Sequence, residues 1–338
     1  IRLGKVCASD LFHYGLDEMK NNQRISTKHF HRRNVHNTGY DYGSLILSYP
    51  SLKPFVRKNE HGNQAINFSD PDAVKALNCA LLKHHYSIQD WDIPAGYLCP
   101  PIPGRVDYIH HIAELLGVKE LKKTKVAKSA TIKMLDIGTG ANGIYSLLAS
   151  RVYGWDCTAC DIDPAALENF SEILDKNPDI KKRVKLRFQR DNSYLFTDII
   201  QFGENYDISV CNPPFHASEE EALKESLKKQ NNLASNKKNK SDRSSKSSST
   251  KTEPTQNFGG QNAELWCNGG EIRFLRKMIK ESKNFGQQCR WFTSLVSKSE
   301  NLKACHKLLR KVEATEIKEI TMKQGNKITR VLAWTFVS

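Results

Sequence analysis

The sequence lacks the long apolar runs of a membrane protein. No stretch approaches the roughly 18 uninterrupted apolar residues of a transmembrane helix, and no basic, apolar and small-residue succession of a secretory signal opens the chain. We therefore expect a soluble intracellular protein with no membrane partner. Apolar residues still make up 39% of the 338 residues, which is enough for a full-sized globular core.

Cysteines are scattered and odd in number, which argues against a disulfide framework. Several of the nine lie inside apolar runs, where reduced, buried thiols are expected. Cys157 and Cys160 have the spacing of a redox or metal pair. Their run is interpreted as a strand, in which residues three apart point to opposite faces. We therefore expect no metal site.

Basic residues outnumber acidic ones, 51 to 37, for a net charge of +14. A Lys/Ser/Asn tract at 228–253 holds eight basic and two acidic residues and supplies six of these charges. Its composition predicts a disordered insertion, which we place at 226–256. The rest of the chain keeps +8 by this subtraction from the same sequence, and such a charge fits a polyanionic partner.

A basic, turn-rich segment at 28–41 reads KHFHRRNVHNTGYD and has no apolar periodicity. We predict an extended arm there. Basic residues interleaved with ring side chains suit looped or single-stranded RNA, whose phosphates and bases are both accessible. A solvated arm without a ligand is the alternative. The candidate RNA contacts are Lys28, His31, Arg32, Arg33 and Asn34.

Strand and helix patterns alternate after Lys133, which predicts a doubly wound parallel sheet. Strands are placed at 133–137, 158–161, 184–189, 206–211 and 290–295, helices at 143–153, 164–177 and 270–284, and a closing hairpin turns at 324–326. Ahead of this core, helices at 71–83 and 106–116 flank a proline-rich loop at 93–105. We expect an unassigned extension at 1–27, an RNA-binding N-terminal region at 28–125 and a Rossmann-like domain at 126–338.

A glycine turn, LDIGTGANG, follows the first strand of this core at 135–143. It is neither a GxGxxG loop followed by a basic residue nor a GxxxxGK loop, so a pyrophosphate ligand is not favoured. Gly138 and Gly140 let the backbone approach a ligand closely. Asp136, at the strand end, suits a cationic or amine-bearing ligand such as the methionine part of S-adenosylmethionine. A plain strand-to-helix turn is the alternative.

Asp161 ends the next strand, about twenty residues after the glycine turn. A carboxylate at this position can accept hydrogen bonds from both ribose hydroxyls of a bound nucleoside. The neighbouring Asp163 precedes Pro164 and fits a helix N-cap better. A solvated loop residue is the alternative for Asp161.

Asn212, Pro213, Pro214 and Phe215 directly follow the fourth strand. The prolines lack backbone donors, so the cluster offers carbonyl oxygens and the Asn212 side-chain oxygen as acceptors, while Phe215 offers a stacking face. This set is complementary to the exocyclic NH2 of a flipped-out base. Accepting both hydrogens positions a poorly nucleophilic nitrogen for methyl transfer without a strong general base. We predict that these four residues are catalytic; a proline-rich turn is the alternative.

With these motifs placed, the chain resembles the ribosomal RNA large subunit methyltransferase F family and its eukaryotic relatives, the methyltransferase-like proteins acting on U6 small nuclear RNA. The resemblance runs from about Lys28 to the C-terminus through INFSDPDAVKALNCALL, WDIPAGYLCPPIPGRVDYIHHIAELLG, LDIGTGANGIYSLL, CNPPFHAS, ELWCNGGEIRF and LAWTF. The form WDIPAGYLCPPIPGR resembles the ribosomal branch. The resemblance to the family implies a Rossmann-like class I S-adenosylmethionine-dependent methyltransferase fold. It also implies that the protein transfers a methyl group to adenine N6 of large-subunit, 23S-type ribosomal RNA.

The resemblance also implies roles for single residues. Arg105, Gly138 and Asn142 would contact the cofactor, S-adenosylmethionine, while Asp161 takes its ribose and Asn192 lies near its adenine. Arg33 and Asn34 match the RNA-contacting pattern HxRNR of the family's arm, whose last Arg is replaced here by Val35. No obligate protein partner is implied.

Other functions stay open at this point. The acceptor cluster would recognise any planar amine, so the alternatives include an adenine-N6 enzyme for U6 small nuclear RNA or another structured RNA, a guanine-N2 enzyme and a glutamine-amide protein methyltransferase. The last two families usually lack the Arg105 loop and the basic arm. An inactive RNA-binding module is disfavoured by the intact Asp136, Gly138, Asp161 and Asn212. Cytoplasm is expected for a bacterial source, and nucleus or nucleolus for a eukaryotic one.

Overall fold

The computed structural model describes residues 30–118, 131–214, 216, 218, 267–324 and 327–337. The predicted extension at 1–27, the predicted domain boundary at 125/126 and the predicted insertion at 226–256 all lie outside these residues. Within the described ranges, no helix combines the length and the apolar character needed to cross a bilayer.

The N-terminal region consists of short helices and one small hairpin. Its elements are a 3-10 helix (Val35–Thr38), α1 (Tyr42–Ser48), a 3-10 helix (Pro50–Phe55), β1 (Arg57–Lys58) paired antiparallel with β2 (Gln64–Ala65), α2 (Pro71–Tyr86) and α3 (Ile102–Leu115). As predicted, α2 begins after an Asp70 cap, whose carboxylate accepts the N–H groups of the first turn. By contrast, α3 begins inside the predicted loop, with Pro103 in its first turn. Proline is tolerated there because the backbone N–H that it lacks would have no hydrogen-bond partner within the helix.

The prediction of an extended arm at 28–41 is wrong for its described part. Asn34 caps the 3-10 helix by accepting the N–H of His36 at 3.0 Å, and Phe30 and His36 are buried. A helix is stabilised here because the Asn34 side chain satisfies an otherwise unpaired backbone donor. The segment therefore packs against the body of the protein.

The predicted doubly wound sheet is confirmed. The elements after the N-terminal region are β3 (Lys133–Ile137), α4 (Ile144–Tyr153), β4 (Asp156–Asp161), α5 (Pro164–Asp175), α6 (Pro178–Lys181), β5 (Val184–Phe188), β6 (Tyr206–Cys211), α7 (Gly270–Ser282), a 3-10 helix (Lys283–Phe285), β7 (Cys289–Val296), α8 (Glu300–Lys311), β8 (Glu316–Gln324) and β9 (Lys327–Thr335). The strand order is β5-β4-β3-β6-β7-β9-β8. Strands β3 to β7 are parallel, and β9 and β8 form the closing antiparallel hairpin.

Two apolar clusters cover the two faces of this sheet. One joins the N-terminal helices to the first face, so that Leu81 and Ile109 share a core with Leu147. The other packs α7 and α8 on the second face, around Leu275 and Phe292. Burial of one such side chain stabilises the fold by about 1.5–3 kcal/mol. The N-terminal helices therefore depend on the sheet for much of their stability.

The cysteines behave as predicted in the described part of the chain, where all eight are free. Cys157 belongs to the cluster on the first face of the sheet and Cys160 to the cluster on the second. Burial raises the pKa of Cys157 to about 12. These thiols point away from each other and stay protonated, so they do not form a redox pair.

Candidate active site

A cavity of about 1030 Å³ opens at the carboxyl ends of the parallel strands. It lies where the strand order reverses, because β3 has β4 on one side and β6 on the other, and such a switch point is the usual ligand site of a doubly wound sheet. Its lining includes most of the predicted catalytic and cofactor-binding residues, namely Arg105, Gly138, Gly140, Asn142, Asp161, Asn192, Asn212 and Pro214. Residues spread over more than 100 positions of sequence therefore meet at one place.

The glycine turn after β3 is held against β4. The backbone N–H groups of Gly138 and Thr139 both donate to the carbonyl of Cys160, at 2.9 and 3.0 Å. Gly138 has a φ of +69° and nothing lies within 4 Å of a Cβ built on it. A Cβ on Gly143 would instead lie 2.1 Å from the ring of Phe170. The turn therefore leaves open space on its cavity side and packs tightly against α5 on the other.

Asp136 does not line the cavity, which corrects the prediction that it contacts the ligand directly. Its carboxylate is fully buried, and Oδ2 accepts the hydroxyls of Thr139 and Ser146, each at 2.9 Å. Burial raises the pKa of Asp136 to about 6. The side chain faces the interior because these two hydroxyls offset part of the desolvation of the carboxylate. Asp136 thus fixes the shape of the glycine turn.

Asp161 is placed to bind hydroxyl groups. Oδ2 accepts the N–H of Gly140 at 2.8 Å, and Oδ1 accepts the N–H of Asp163 at 3.0 Å. A carboxylate has about four acceptor positions, so these two bonds leave capacity for a ligand in the cavity. Burial raises the pKa of Asp161. The two backbone donors hold the carboxylate in the orientation that a ribose would need.

Arg105, near the start of α3, brings a positive charge to the opposite wall. Nη1 donates to the hydroxyl of Tyr145 at 2.6 Å, and the guanidinium lies 5.5 Å from the centre of that ring. The Nε of Arg105 is buried and has no hydrogen-bond partner among the described residues. A buried, unpaired cationic donor is costly. A carboxylate, such as that of the amino-acid part of S-adenosylmethionine, would satisfy it.

The proline-rich loop of the N-terminal region forms the wall above the glycine turn. The indole Nε1 of Trp91 donates to the carbonyl of Asn142 at 2.9 Å. The hydroxyl of Tyr97 donates to the carboxylate of Asp163 at 2.7 Å. Leu98 and Pro100 follow in the loop and line the cavity. The predicted loop therefore closes the cofactor side of the site.

The acceptor cluster after β6 meets the cavity through Asn212, which is partly exposed, and through Pro214. Pro213 is buried and does not line the cavity, and Phe215 lies outside the described residues. The backbone N–H of Cys267 donates to the carbonyl of His216 at 3.2 Å. The segment that leads into α7 therefore lies beside the cluster.

Sequence reasoning missed the contribution of α7, and of the loop after β5 it named only Asn192. Further lining residues from these two segments are Gln189, Tyr194, Leu195, Arg273, Arg276, Lys277, Lys280 and Glu281. The carboxylate of Glu281 accepts the N–H groups of three consecutive residues, 195–197, at 2.7 to 2.9 Å. The signal for α7 was present in its basic residues at positions i, i+3, i+4 and i+7, which lie on one face of a helix.

The predicted RNA contacts of the arm do not line the cavity. Asn34 is 3% exposed, and its amide donates to Pro103 and Asp107 at 2.9 and 3.0 Å. Arg33 donates to the hydroxyl of Tyr153 and to a backbone carbonyl, that of Val118. These contacts fasten the arm to the body. Arg32 is exposed and stays a predicted RNA contact; Lys28 lies outside the described residues.

His31 belongs to a group with His111 and Glu114 whose ligand atoms lie within 4.8 Å of one another. Its Nδ1 accepts the backbone N–H of Arg33 at 3.1 Å, so in the neutral ring the proton is on Nε2, which donates to Glu114 at 3.1 Å. Burial lowers the pKa of His31, which favours that neutral form. A protonated Nε2 has no lone pair for a metal ion, and we interpret the group as a hydrogen-bonded anchor.

Comparison with known proteins identifies the family. Residues 24–338 match the model of a family described as RNA methyltransferase. The chain is 54% identical to the ribosomal RNA large subunit methyltransferase F of Shewanella halifaxensis, over 92% of this chain and 83% of the relative. It is 52% identical to the protein of the same name from Saccharophagus degradans, over 93% of this chain and 97% of the relative.

Solved structures of human METTL16 share the fold. The catalytic domain in complex with MAT2A 3′UTR hairpin 1 has a TM-score of 0.72 and 27% identity, covering 92% of this chain and 96% of that one. The N-terminal domain in complex with SAH has a TM-score of 0.70 and 26% identity, and the match covers 91% of this chain and 99% of that one. These findings confirm the predicted Rossmann-like fold, the reaction class and the cofactor S-adenosylmethionine. The chain belongs to the RNA methyltransferase family.

Proposed function

We propose that this protein transfers a methyl group from S-adenosylmethionine to N6 of an adenine in large-subunit ribosomal RNA. The observation that carries the proposal is the meeting of Asn212 and Pro214 with Gly138, Asp161 and Arg105 in one cavity. An acceptor cluster for an amine thus shares its space with a site for the methyl donor. Relatives at 51–54% identity that bear a ribosomal RNA name support the choice of RNA.

The described residues suit the parts of the cofactor. The unpaired donor of Arg105 fits the carboxylate, the free acceptor positions of Asp161 fit the ribose hydroxyls, and Asn192 at the far wall fits the adenine. When bound, the cofactor supplies an electrophilic methyl group on a positively charged sulfur. The open space beside Gly138 lets a ligand approach the backbone closely.

Asn212 acts on the target base. Its side-chain oxygen accepts one hydrogen of the adenine amino group, and a backbone carbonyl of the proline pair accepts the other. These bonds fix the nitrogen in position and strengthen as positive charge develops on it. Phe215 would stack on the flipped base, and Pro213 keeps the cluster rigid from its buried position.

RNA outside the cavity would be held by charge. Arg32 and Lys28 belong to a basic arm, and the chain as a whole has a net charge of +14. Phosphate contacts of this kind supply affinity and position without reading sequence. We place the site of action in the cytoplasm, in keeping with the bacterial sources of the ribosomal relatives.

A second candidate substrate is a structured RNA other than ribosomal RNA. Structures of human METTL16, 27% identical to this chain, were solved in complex with MAT2A 3′UTR hairpins. The acceptor cluster reads only the amine, so it does not distinguish adenines in different RNAs. Selection of the RNA must come from contacts outside the cluster.

The proposal is tested by methyl transfer from labelled S-adenosylmethionine to purified large-subunit ribosomal RNA, small RNAs and a cell protein extract, each taken from cells without a member of this family. We expect label in the large ribosomal RNA, recovered as N6-methyladenosine after digestion to nucleosides. Label confined to small RNAs would select the second substrate. Label in guanosine or in protein would contradict the adenine assignment.

A further inference from the structure

Helix α7 presents four cationic side chains to the cavity. Arg273, Arg276, Lys277 and Lys280 all line it. Their spacing of i, i+3, i+4 and i+7 places them on one side of the helix. The buried side is apolar and includes Leu275, Met278 and Ile279. We call the four cations the basic face of α7.

Within the described ranges, most of the basic face has no protein partner. Arg273, Arg276 and Lys280 are exposed, and none of the three forms an ion pair or hydrogen bond with another described residue. Lys277 differs, because its ammonium donates to the backbone carbonyl of Asn192 and burial lowers its pKa. Three charges that have no partner in the described part of the chain thus stand at the edge of a cavity, where they can attract an anionic ligand.

The first cation of the basic face lies near the acceptor cluster. Arg273 is close to Gly269, since a Cβ on that glycine would lie 2.6 Å from its Cδ. The segment that ends there begins at Cys267, which donates to the carbonyl of His216 just after the acceptor cluster. A chain of contacts therefore leads from the catalytic motif to the first cation of the helix.

The size of the cavity and the length of the helix both suit an RNA strand. A cavity of about 1030 Å³ is at the upper end of the range for one small ligand, so it has room for the cofactor and a flipped nucleoside. Seven residues of helix rise by about 10 Å, a length that corresponds to roughly three phosphates of one strand when it is measured along the axis of a duplex. In the loop after β5, which is hydrogen-bonded to α7, the exposed Tyr194 offers an aromatic face on which a neighbouring base can stack.

We propose that the basic face of α7 binds the phosphates of the RNA strand that carries the target adenosine. The proposal rests on the proposed function, because it assigns a binding surface for the same RNA beside the same site. The cations hold the backbone on one side of the flipped nucleotide, and the arm with Arg32 holds RNA elsewhere. Positioning of the strand by α7 limits how far the adenosine can move from Asn212.

The test uses a double variant of the two exposed cations at i and i+4, Arg276→Gln with Lys280→Gln. Glutamine keeps helix propensity and length while it removes charge. The matched control is Lys303→Gln with Lys307→Gln, two exposed lysines at i and i+4 on α8 that do not line the cavity. For each protein, the affinity for the RNA that the wild type methylates is measured at several salt concentrations. The affinity for SAH and the kcat at saturating RNA are measured as well.

We expect the α7 variant to bind RNA about tenfold more weakly near physiological salt. The slope of log affinity against log salt should become shallower by roughly 1.4–1.8, because two phosphate contacts at about 0.7–0.9 each are lost. The α8 control should match the wild type in both quantities. SAH affinity, which reports an intact fold, should be unchanged in all three proteins.

Two results would overturn the proposal. If the α7 variant equals the α8 control in RNA affinity and salt slope, the basic face does not bind RNA. If SAH affinity falls while RNA affinity holds, the cations serve the cofactor. The two single variants, each expected to lower the slope by roughly 0.8, carry the same test if the double variant misfolds. Absence of RNA methylation by the wild type would instead contradict the proposed function.

Discussion

The indole nitrogen of Trp91 donates a 2.9 Å hydrogen bond to the backbone carbonyl of Asn142, and both residues are buried. The two residues are 51 positions apart, one just before the proline-rich loop of the N-terminal region and the other in the glycine turn that follows β3. Asn169 supports the same turn by donating to the carbonyl of Ala141 at 2.7 Å. The N-terminal region therefore helps to hold the glycine turn that lines the cavity.

Replacement of Trp91 by Phe should weaken cofactor binding. The aromatic packing is largely kept, but the Asn142 carbonyl loses its donor, a change that costs about 1–3 kcal/mol for a buried acceptor. We expect the Kd for SAH, measured by calorimetry, to rise about five- to a hundredfold. Trp155→Phe is the control. Trp155 is equally buried, but it directly precedes β4, at the end of the strand that is away from the cavity. Equal SAH affinities in the two variants would rule out a role for the Trp91 bond.

Replacement of Gly143 by Ala should destabilise the protein strongly. The added methyl group would lie 2.1 Å from the Phe170 ring, and φ is +56°. Overpacking and left-handed strain together cost about 2–5 kcal/mol. Gly154→Ala is the control, because Gly154 has a similar φ of +70° and nothing lies within 4 Å of its built Cβ.

Urea unfolding separates the two effects. Gly154→Ala should lose only about 1–2 kcal/mol, which is the cost of a left-handed backbone with a side chain. Similar losses of unfolding free energy in both alanine variants would contradict tight packing of Gly143 against the Phe170 ring. A partial recovery in Gly143→Ala with Phe170→Leu would confirm that the ring is the obstacle.

Ionisation of Asp136 should make stability depend on pH. Burial raises its pKa from 3.8 to about 6, so between these values the folded state binds more protons than the unfolded state. The free energy of unfolding therefore decreases as pH rises through this window. We expect the Tm of Asp136→Asn to increase relative to that of the wild type as pH rises from about 4 to about 6. Above about pH 6 the difference between the two Tm values should stay constant. A Tm difference that does not vary with pH would contradict the raised pKa.

Replacement of Asp161 by Asn should impair binding of the cofactor ribose. The amide has one oxygen in place of two, and its NH2 group would face one of the backbone donors of Gly140 and Asp163. Loss of charge-assisted bonds to hydroxyls costs about 1.5–3 kcal/mol, so the Kd for SAH should rise about 10- to 100-fold. Asp175→Asn, at the exposed far end of α5, should bind SAH as the wild type does.

Much of the fold could be predicted because strand and glycine patterns are local. The bounds of β3 and β6 follow from apolar runs that end at Asp136-Ile137 and Cys211. The start of α3 was missed, since a proline signals a loop and the first turn of a helix equally well. Helix α8 was overlooked although its buried residues recur at three- and four-residue intervals.

The site was harder to predict where tertiary contacts decide the direction of a side chain. Asp136 looks like a ligand residue in sequence, yet the hydroxyls of Thr139 and Ser146 turn it inward. Asn34 looks like an RNA contact on an extended arm, yet Asp107 and Pro103 of α3 accept hydrogen bonds from its buried amide. Both outcomes depend on partners that come together only in the folded chain.

The most direct test of the account is methyl transfer to large-subunit ribosomal RNA by Asn212→Ala beside the wild type, with SAH affinity measured for both. Asn212 lines the cavity directly after β6, and its side-chain oxygen is the proposed acceptor for the target amine. We predict N6-methyladenosine from the wild type, a loss of about 100- to 1000-fold in kcat for the variant, and unchanged SAH affinity. Transfer by Asn212→Ala at the wild-type rate would contradict the assignment of Asn212 to the adenine amine.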